Sequence, residues 1–177
     1  LKEILINDLH LNHNKILVLP NGVDVDFFSP EQHDPIRLFD FPHIGYVGAV
    51  IERQGLDLLI RVLAQLNGEG HALGLVIVGE GEAREDLMAL ADRLNMADRM
   101  AFVGQVPRED VPRYIAGFEL GYSGQMVISK GLLGRMYHSP LKLYEYLAMG
   151  KPVIASAYED AEKVVRNGET GFLFKSG

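Results

Sequence analysis

The sequence predicts an α/β fold built on a doubly wound parallel sheet. Short apolar runs rich in β-branched residues alternate with amphipathic stretches at helical spacing along most of the chain. Several of these runs are apolar at consecutive positions, which is typical of strands buried on both faces of a parallel sheet. Alternation of strand and helix at this spacing indicates βαβ units. We therefore expect a ligand to bind beyond the carboxyl ends of the strands.

The elements follow from the apolar pattern in chain order. Apolar stripes at three- and four-residue spacing predict one helix from Leu56 to Leu66 and another from Leu87 to Leu94. Shorter helical stretches cover Arg108–Ala116 and Ser139–Met149. The predicted strands are Ile16–Leu19, Ile44–Val47, Leu73–Val78, Met100–Val103, Phe118–Tyr122, Pro152–Ala155 and Gly171–Phe174.

Composition limits the kind of protein and its partners. The 177 residues suffice for one domain with a sizeable core. A net charge of −7 argues against a nucleic-acid partner. The chain has no cysteine, which excludes thiolate metal sites, disulfides and cysteine nucleophiles, and no apolar run has the length of a membrane span. The absence of cysteine fits a cytoplasmic protein. Because the chain begins at Leu1 within a helical pattern, we expect a fragment, with residues 1–15 as a short leading segment.

Glu145 is the first candidate for chemistry. It lies in the Ser139–Met149 helix among Leu141, Ala148 and Met149, where a carboxylate is costly to bury without a partner. One interpretation is an ion pair with Lys142, three residues earlier in the helix. The other is a ligand carboxylate that accepts hydrogen bonds from a pair of sugar hydroxyls. The local sequence is compatible with both.

The start of this helix is the second candidate. Ser139 is placed as the N-cap, Pro140 at the first helical position, and Gly150 follows the helix end. Free amides at a helix N-terminus suit a diphosphate, and the amides of Leu141 and Lys142 would donate because proline has none. An ordinary capped helix after a flexible loop is the alternative.

The other motifs give weaker signals. Neither Gly48–Gly55 nor Gly79–Gly81 has the glycine spacing of a nicotinamide or flavin site, although glycines allow close backbone approach to a ligand. Asp24 and Asp26 could hold a metal that bridges a diphosphate, but the preceding turn sequence favours solvated turn acids. The six histidines lack ligand spacing. The sequence thus predicts neither a metal site nor a cofactor.

Six segments in order resemble family 4 of the retaining glycosyltransferases. This family has the GT-B architecture of two facing Rossmann-like domains, and the resemblance implies the second, C-terminal domain, which binds the nucleotide-sugar donor. It spans nearly the whole chain, from Ile16 to Phe174. The segments are Val18–Asp24, Tyr46–Ile60, Leu75–Gly81, Phe102–Pro107, Ser139–Ala155 and Val165–Phe172.

The resemblance implies roles for particular residues. Glu145 would bind the ribose hydroxyls of the donor, the base would lie near the backbone of Gly104–Val106, and the diphosphate near Gly48 and the start of the Ser139–Met149 helix. The implied reaction transfers a hexosyl group to an acceptor with retained anomeric configuration, in polysaccharide or glycoconjugate biosynthesis. A missing N-terminal domain would bind the acceptor, so the fragment alone would be inactive. The full-length protein could associate peripherally with the inner face of the membrane, without a transmembrane segment.

Three positions depart from the family pattern. Ala49 and Gln54 stand where the family has a phosphate-binding Arg and Lys, and Tyr137 replaces a second Glu. Candidate substitutes for the missing charge are Arg53, Lys130, Arg135 and Lys142. These departures keep open a degenerate, regulatory nucleotide-binding domain, and a nucleotide-sugar epimerase is another alternative. No catalytic residue is assigned, and the candidate donor-binding residues are Gly48, Arg53, Gly104, Gln105, Val106, Ser139, Leu141, Lys142 and Glu145.

Overall fold

A computed structural model describes residues 2–19, 21–125 and 140–175. Within these ranges six parallel strands form one sheet: β1 (His43–Val47), β2 (Gly74–Val78), β3 (Met100–Gly104), β4 (Leu120–Ser123), β5 (Val153–Ser156) and β6 (Gly171–Phe174). The helices are α1 (Lys2–Asn7), α2 (Leu56–Gly68), α3 (Arg84–Arg93), α4 (Val111–Gly117), α5 (Leu141–Ala148) and α6 (Glu159–Val164).

The strand order is β3-β2-β1-β4-β5-β6. The chain therefore builds outward from β1 in one direction and then from β4 in the other, which makes the sheet doubly wound, as predicted. The order reverses between β1 and β4, and ligands of such sheets bind at this switch point beyond the carboxyl ends of the strands. Among the helices in the described ranges, none has the length and hydropathy needed to cross a membrane.

Alternation along the strands supplies two cores, one on each face of the sheet. In β2, Leu75 and Ile77 pack into the cluster that contains α2 and α3. Val76 and Val78 pack into the cluster on the opposite face, with side chains of α4, α5 and α6. All five residues of β2 are buried, as the continuous apolar run predicts.

Several predicted elements differ from the structure. The helix predicted over Arg108–Ala116 is a 3₁₀ turn at Arg108–Asp110 followed by α4, and the strand predicted from Phe118 begins at Leu120. Ile16–Leu19 lies outside the sheet, and Leu17 and Leu19 remain 80% and 78% exposed. The strand prediction was wrong there because an apolar run forms a strand only where a neighbouring strand pairs with it. The helix predicted from Ser139 begins instead at Leu141, because Pro140 has an extended backbone and takes the N-cap position. Ser139 lies outside the described residues.

Candidate functional site

Three glycine turns meet at the carboxyl ends of β1, β2 and β3. Gly48, Gly79 and Gly104 have φ values of +139°, +136° and +85°, which strain any residue with a side chain. The Gly48 amide donates to the Val78 carbonyl at 2.9 Å, and the Gly79 amide donates to the Gly104 carbonyl at 2.8 Å. A Cβ atom on Gly79 would collide with the Gly48 carbonyl oxygen. The turns therefore form a closely packed backbone surface beneath an open pocket.

This pocket has a volume of about 360 Å³. Its walls come from the residues that follow β1, β2 and β3, so it lies where the fold class predicts a ligand. The lining includes Gly48, Ala49, Gly79, Glu80, Gln105 and Val106. Three of the predicted donor-binding residues, Gly48, Gln105 and Val106, are thus together in one pocket.

Lys142 projects from the first turn of α5 to the underside of the β1 turn. Its amino group donates to Tyr46 Oη at 3.1 Å and to Gln54 Oε1 at 2.9 Å, and it lies 4.2 Å from the Tyr46 ring centroid. A Cβ atom on Gly48 would be 3.2 Å from this nitrogen. A lysine from α5 therefore places its charge beside the two positions, Ala49 and Gln54, where the resemblance expects cations.

Tyr46 fixes that lysine in place. Its buried hydroxyl accepts from Lys142 and donates to the Ala49 carbonyl at 2.6 Å. Burial raises the pKa of Tyr46, so the hydroxyl keeps the proton that it donates. The ring and hydroxyl thus tie α5 to the turn after β1.

Tyr146 makes a second tie between the same elements. Its buried hydroxyl accepts from the Val47 amide at 2.8 Å, and its ring occupies the space that a side chain on Gly121 would need. Because Tyr146 follows Glu145 directly in α5, this hydrogen bond also fixes the position from which the Glu145 side chain projects. Sequence reasoning missed both tyrosines, because their partners are nearly a hundred residues away.

The protonation state of Lys142 is sensitive to pH near neutrality. Burial lowers the pKa of Lys142 to about 7; the Glu145 carboxylate opposes this shift and the charge of Arg53 adds to it. At neutral pH the amino group is therefore about half protonated. An anion bound beside it would favour the charged form.

Glu145 is half-buried on the same helix. Burial raises the pKa of its carboxyl group, while Lys142 and Arg108 act in the opposite direction. The Lys142 amino group is directed to Tyr46 and Gln54, and no ion pair to Glu145 forms among the residues that the structure describes. The local ion-pair interpretation therefore loses its main support.

Arg108 is a further charged residue near Glu145, which sequence reasoning did not single out. Its guanidinium lies over the Phe27 ring, 5.3 Å from the centroid. Phe27 is held by a turn in which Asp24 Oδ1 accepts from the amides of Asp26 and Phe27 at 3.1 and 3.0 Å. Asp24 thus has a turn-forming role, as the local sequence favours. No cluster of three or more potential metal-ligating His, Asp or Glu side chains occurs in the described ranges.

The remaining predicted site residues lie around this centre. Arg53 is exposed in the turn between β1 and α2, and its charge acts on both Tyr46 and Lys142. Leu141 is the exposed first residue of α5, so its amide lies in the helix turn whose N–H groups lack intrahelical partners. Gly104 is buried next to the pocket. Lys130, Arg135 and Tyr137 fall outside the described residues.

Comparison with known proteins decides the family. The family model described as glycosyl transferases group 1 matches residues 29–177. The chain belongs to this family. A GDP-mannose-dependent alpha-(1-6)-phosphatidylinositol monomannoside mannosyltransferase of Mycolicibacterium smegmatis is 31% identical over 163 residues, which cover 86% of this chain and 41% of the relative. The chain thus spans about two fifths of the length of such curated relatives.

Solved structures confirm the fold of this group 1 glycosyltransferase domain. A glycosyltransferase from Rickettsia africae superposes with a TM-score of 0.81 at 19% identity, covering 99% of this chain and 47% of that one. HepE from Anabaena, in complex with UDP and glucose, superposes with a TM-score of 0.69 at 21% identity, covering 93% and 44%. The prediction of a Rossmann-like GT-B domain is therefore confirmed, whereas the roles of individual residues stay predictions.

Proposed function

We propose that this chain binds the nucleotide-sugar donor of a retaining glycosyltransferase that transfers a hexosyl group. The observation that carries the proposal is the meeting of Lys142 with the glycine turn after β1, next to a pocket beyond the carboxyl ends of β1, β2 and β3. A donor bound there would place its diphosphate against Gly48 and the first turn of α5. Positive charge and helix amides at that point stabilise the diphosphate as it leaves.

Two basic side chains supply the positive charge. Lys142 is held at the β1 turn by Tyr46 and Gln54, and Arg53 lies on the exposed side of the same turn. The lowered pKa of Lys142 reflects burial and the neighbouring Arg53 charge, so an incoming diphosphate would relieve the repulsion between the two cations. This arrangement replaces the Arg and Lys that the family has at positions 49 and 54.

Glu145 binds the ribose in this proposal. Burial raises the pKa of its carboxyl group, the charges of Lys142 and Arg108 oppose that shift, and the carboxylate has no ion-pair partner within 4 Å among the described side chains. A carboxylate in this state readily accepts hydrogen bonds from two vicinal hydroxyls. The backbone of Gly104, Gln105 and Val106 would then contact the base.

The rest of the reaction needs a second domain that holds the acceptor, so this chain alone would bind donor without transferring sugar. The donor nucleotide sugar is a substrate, and we propose that neither a cofactor nor a metal is required. The name of the Mycolicibacterium relative specifies GDP-mannose and a phosphatidylinositol mannoside, whereas the HepE structure holds UDP and glucose. A cytoplasmic enzyme that meets a lipid-linked acceptor at the membrane surface fits the first of these names.

A degenerate nucleotide-binding domain is the second candidate, favoured by Ala49 and Gln54. The two candidates separate in a paired experiment. Nucleoside diphosphates and nucleosides are titrated into the 177-residue chain by calorimetry, and nucleotide sugars are then incubated with the longer protein expected to contain it. The proposal predicts tighter binding of a diphosphate than of its nucleoside, and a product of retained configuration. Binding without turnover would favour the degenerate domain, and no diphosphate binding would refute donor binding.

A further inference from the structure

Among the described residues that line the pocket at the carboxyl end of the sheet, Glu80 is the acidic side chain. It follows Gly79 in the turn after β2, and its backbone carbonyl accepts from the Val50 amide at 2.9 Å. A Cβ atom on Gly104 would lie 3.0 Å from Glu80 Oε1. The carboxylate therefore lies directly over the turn after β3, beside the backbone of Gln105 and Val106.

Arg84 forms an ion pair with this carboxylate. Its Nε lies 3.7 Å from Glu80 Oε1, one helical turn further along the chain. Arg84 also donates to the Phe102 carbonyl at 3.4 Å and lies over the Phe102 ring, 6.0 Å from its centroid. Arg84 thus offsets part of the Glu80 charge, while about half of the Glu80 side chain remains accessible to a ligand.

Glu80 and Lys142 lie at different turns of this edge of the sheet. Glu80 lines the pocket near the turn after β3, whereas Lys142 lies outside the pocket lining, beneath Gly48 in the turn after β1. Because β2 separates β1 from β3, the two charged groups are about 10 Å apart. A nucleoside diphosphate whose phosphates lie against the Gly48 turn would direct its base towards Glu80.

We propose that Glu80 selects guanine as the base of the donor, by accepting hydrogen bonds from the guanine N1–H and 2-amino groups. This inference rests on the proposed function, since it names the base that the same pocket takes. An ionised carboxylate only accepts hydrogen bonds. Guanine presents two adjacent donors on its Watson–Crick edge, which match the two oxygens of a carboxylate.

The other bases fit a carboxylate less well. Uracil has a single N–H between two carbonyl oxygens, so one oxygen would face the negative charge. Cytosine and adenine each place one amino group next to an acceptor nitrogen on the same edge. A hydrogen bond to a charged group, once lost, weakens binding by about 10- to 100-fold. Guanine can therefore form at least one more hydrogen bond with Glu80 than any of the other bases.

The test compares three nucleotides on three forms of the 177-residue chain. GDP, IDP and UDP are titrated into the native chain, Glu80→Gln and Glu82→Gln. IDP retains the N1–H of guanine but lacks its 2-amino group. Glu82 is the matched control because it lies two residues further on and lines a separate cavity beside α2 and α3. Thermal melting verifies that each variant is folded.

The proposal predicts that GDP binds the native chain about 10- to 100-fold more tightly than IDP or UDP. Glu80→Gln should weaken the binding of GDP and reduce the difference in affinity between GDP and UDP, because the new amide can donate to a uracil carbonyl. Glu82→Gln should leave the order unchanged. The role of Glu80 would be overturned if UDP bound most tightly, or if the ratio of GDP affinity to UDP affinity were unchanged in Glu80→Gln. Either result would leave the proposed donor site intact. If none of the three bound, the role of Glu80 would be refuted, and the proposed function would fail as well only if adenine, cytosine and thymine nucleoside diphosphates also failed to bind.

Discussion

Lys142 donates a hydrogen bond to the Gln54 side-chain oxygen at 2.9 Å, although 88 residues separate them in the chain. Gln54 is buried at the position where the resemblance implies a phosphate-binding lysine. The amide oxygen of Gln54 and the hydroxyl of Tyr46 position a lysine from another element at the same turn. In the proposed donor site the positive charge would therefore come from α5.

The first prediction concerns the diphosphate. Replacing both Arg53 and Lys142 with Ala should weaken nucleoside-diphosphate binding by at least about tenfold for each cation removed, because each loses a charge-assisted contact. Binding of the matching nucleoside should change little, as calorimetry would show. The control is Arg93→Ala, which removes an exposed charge in the last turn of α3. Equal losses for nucleoside and diphosphate would contradict the assignment.

The second prediction follows from the pKa of about 7 at Lys142. A bound diphosphate favours the protonated amine, so affinity should be constant below this pH and fall by up to about tenfold per pH unit above it. Calorimetry from about pH 6.5 to about pH 8.5 measures this slope. In this range neither the nucleotide base nor a lysine with an ordinary pKa changes its protonation state. Lys142→Arg should remove the slope, because arginine stays charged throughout. A slope that persists in Lys142→Arg would assign the titration to another group.

The same shift has a consequence for folding. The pKa of Lys142 in the folded chain is below the ordinary lysine value, so the unfolded chain binds more protons between these two pKa values. The free energy of unfolding should therefore rise with pH from about 7 upwards through this group. Urea denaturation of the native chain and of Lys142→Met at several pH values would isolate this contribution, which the variant lacks.

The third prediction is that transfer by the longer protein survives chelation. In the described residues Asp24 uses its carboxylate to cap a turn, and no cluster of potential metal-ligating side chains accompanies it. Product formation with excess EDTA should match the untreated rate. Complete loss, restored by a divalent ion, would revive Asp24 and Asp26 as metal ligands.

Much of the fold could be predicted because its signal is local. The run Gly74–Val78 is apolar throughout and is buried throughout, and the turn chemistry around it marks its ends. Ile16–Leu19 has a similar pattern but lies outside the sheet, since strand pairing depends on distant residues. The sequence predicted Pro140 at the first helical position, whereas it is the N-cap of α5, because a proline fits both positions.

The site was harder to predict for the same reason. The composition of α5 indicates that Lys142 and Glu145 are unusual, but it does not show where either side chain points. That Lys142 is directed to Tyr46 and Gln54 depends on the packing of α5 against β1. Glu80 lies on a turn that lines the pocket, and Arg108 lies near Glu145, only when the sheet has formed. Their positions could not be read from neighbouring residues.

The last prediction concerns Glu145 and the ribose. Glu145→Ala should weaken nucleoside-diphosphate binding by about one to two orders of magnitude, because a charged acceptor of two hydroxyl hydrogen bonds is lost. Glu145→Gln should cost less, since it keeps one acceptor oxygen. The folded fraction of each variant is measured by thermal melting, so that a loss of structure is separated from a loss of binding.

The most direct test of the account is a double-mutant cycle between Glu145 and the 2′-hydroxyl of the ligand. Calorimetry measures the affinity of ribose and 2′-deoxyribose nucleoside diphosphates for the native chain and for Glu145→Ala. The account predicts that deoxygenation weakens binding to the native chain by about tenfold or more, and has little effect on Glu145→Ala, whose carboxylate is already gone. A lower melting temperature with unchanged nucleotide affinity in Glu145→Ala would contradict it, and would make Glu145 a residue of the fold alone.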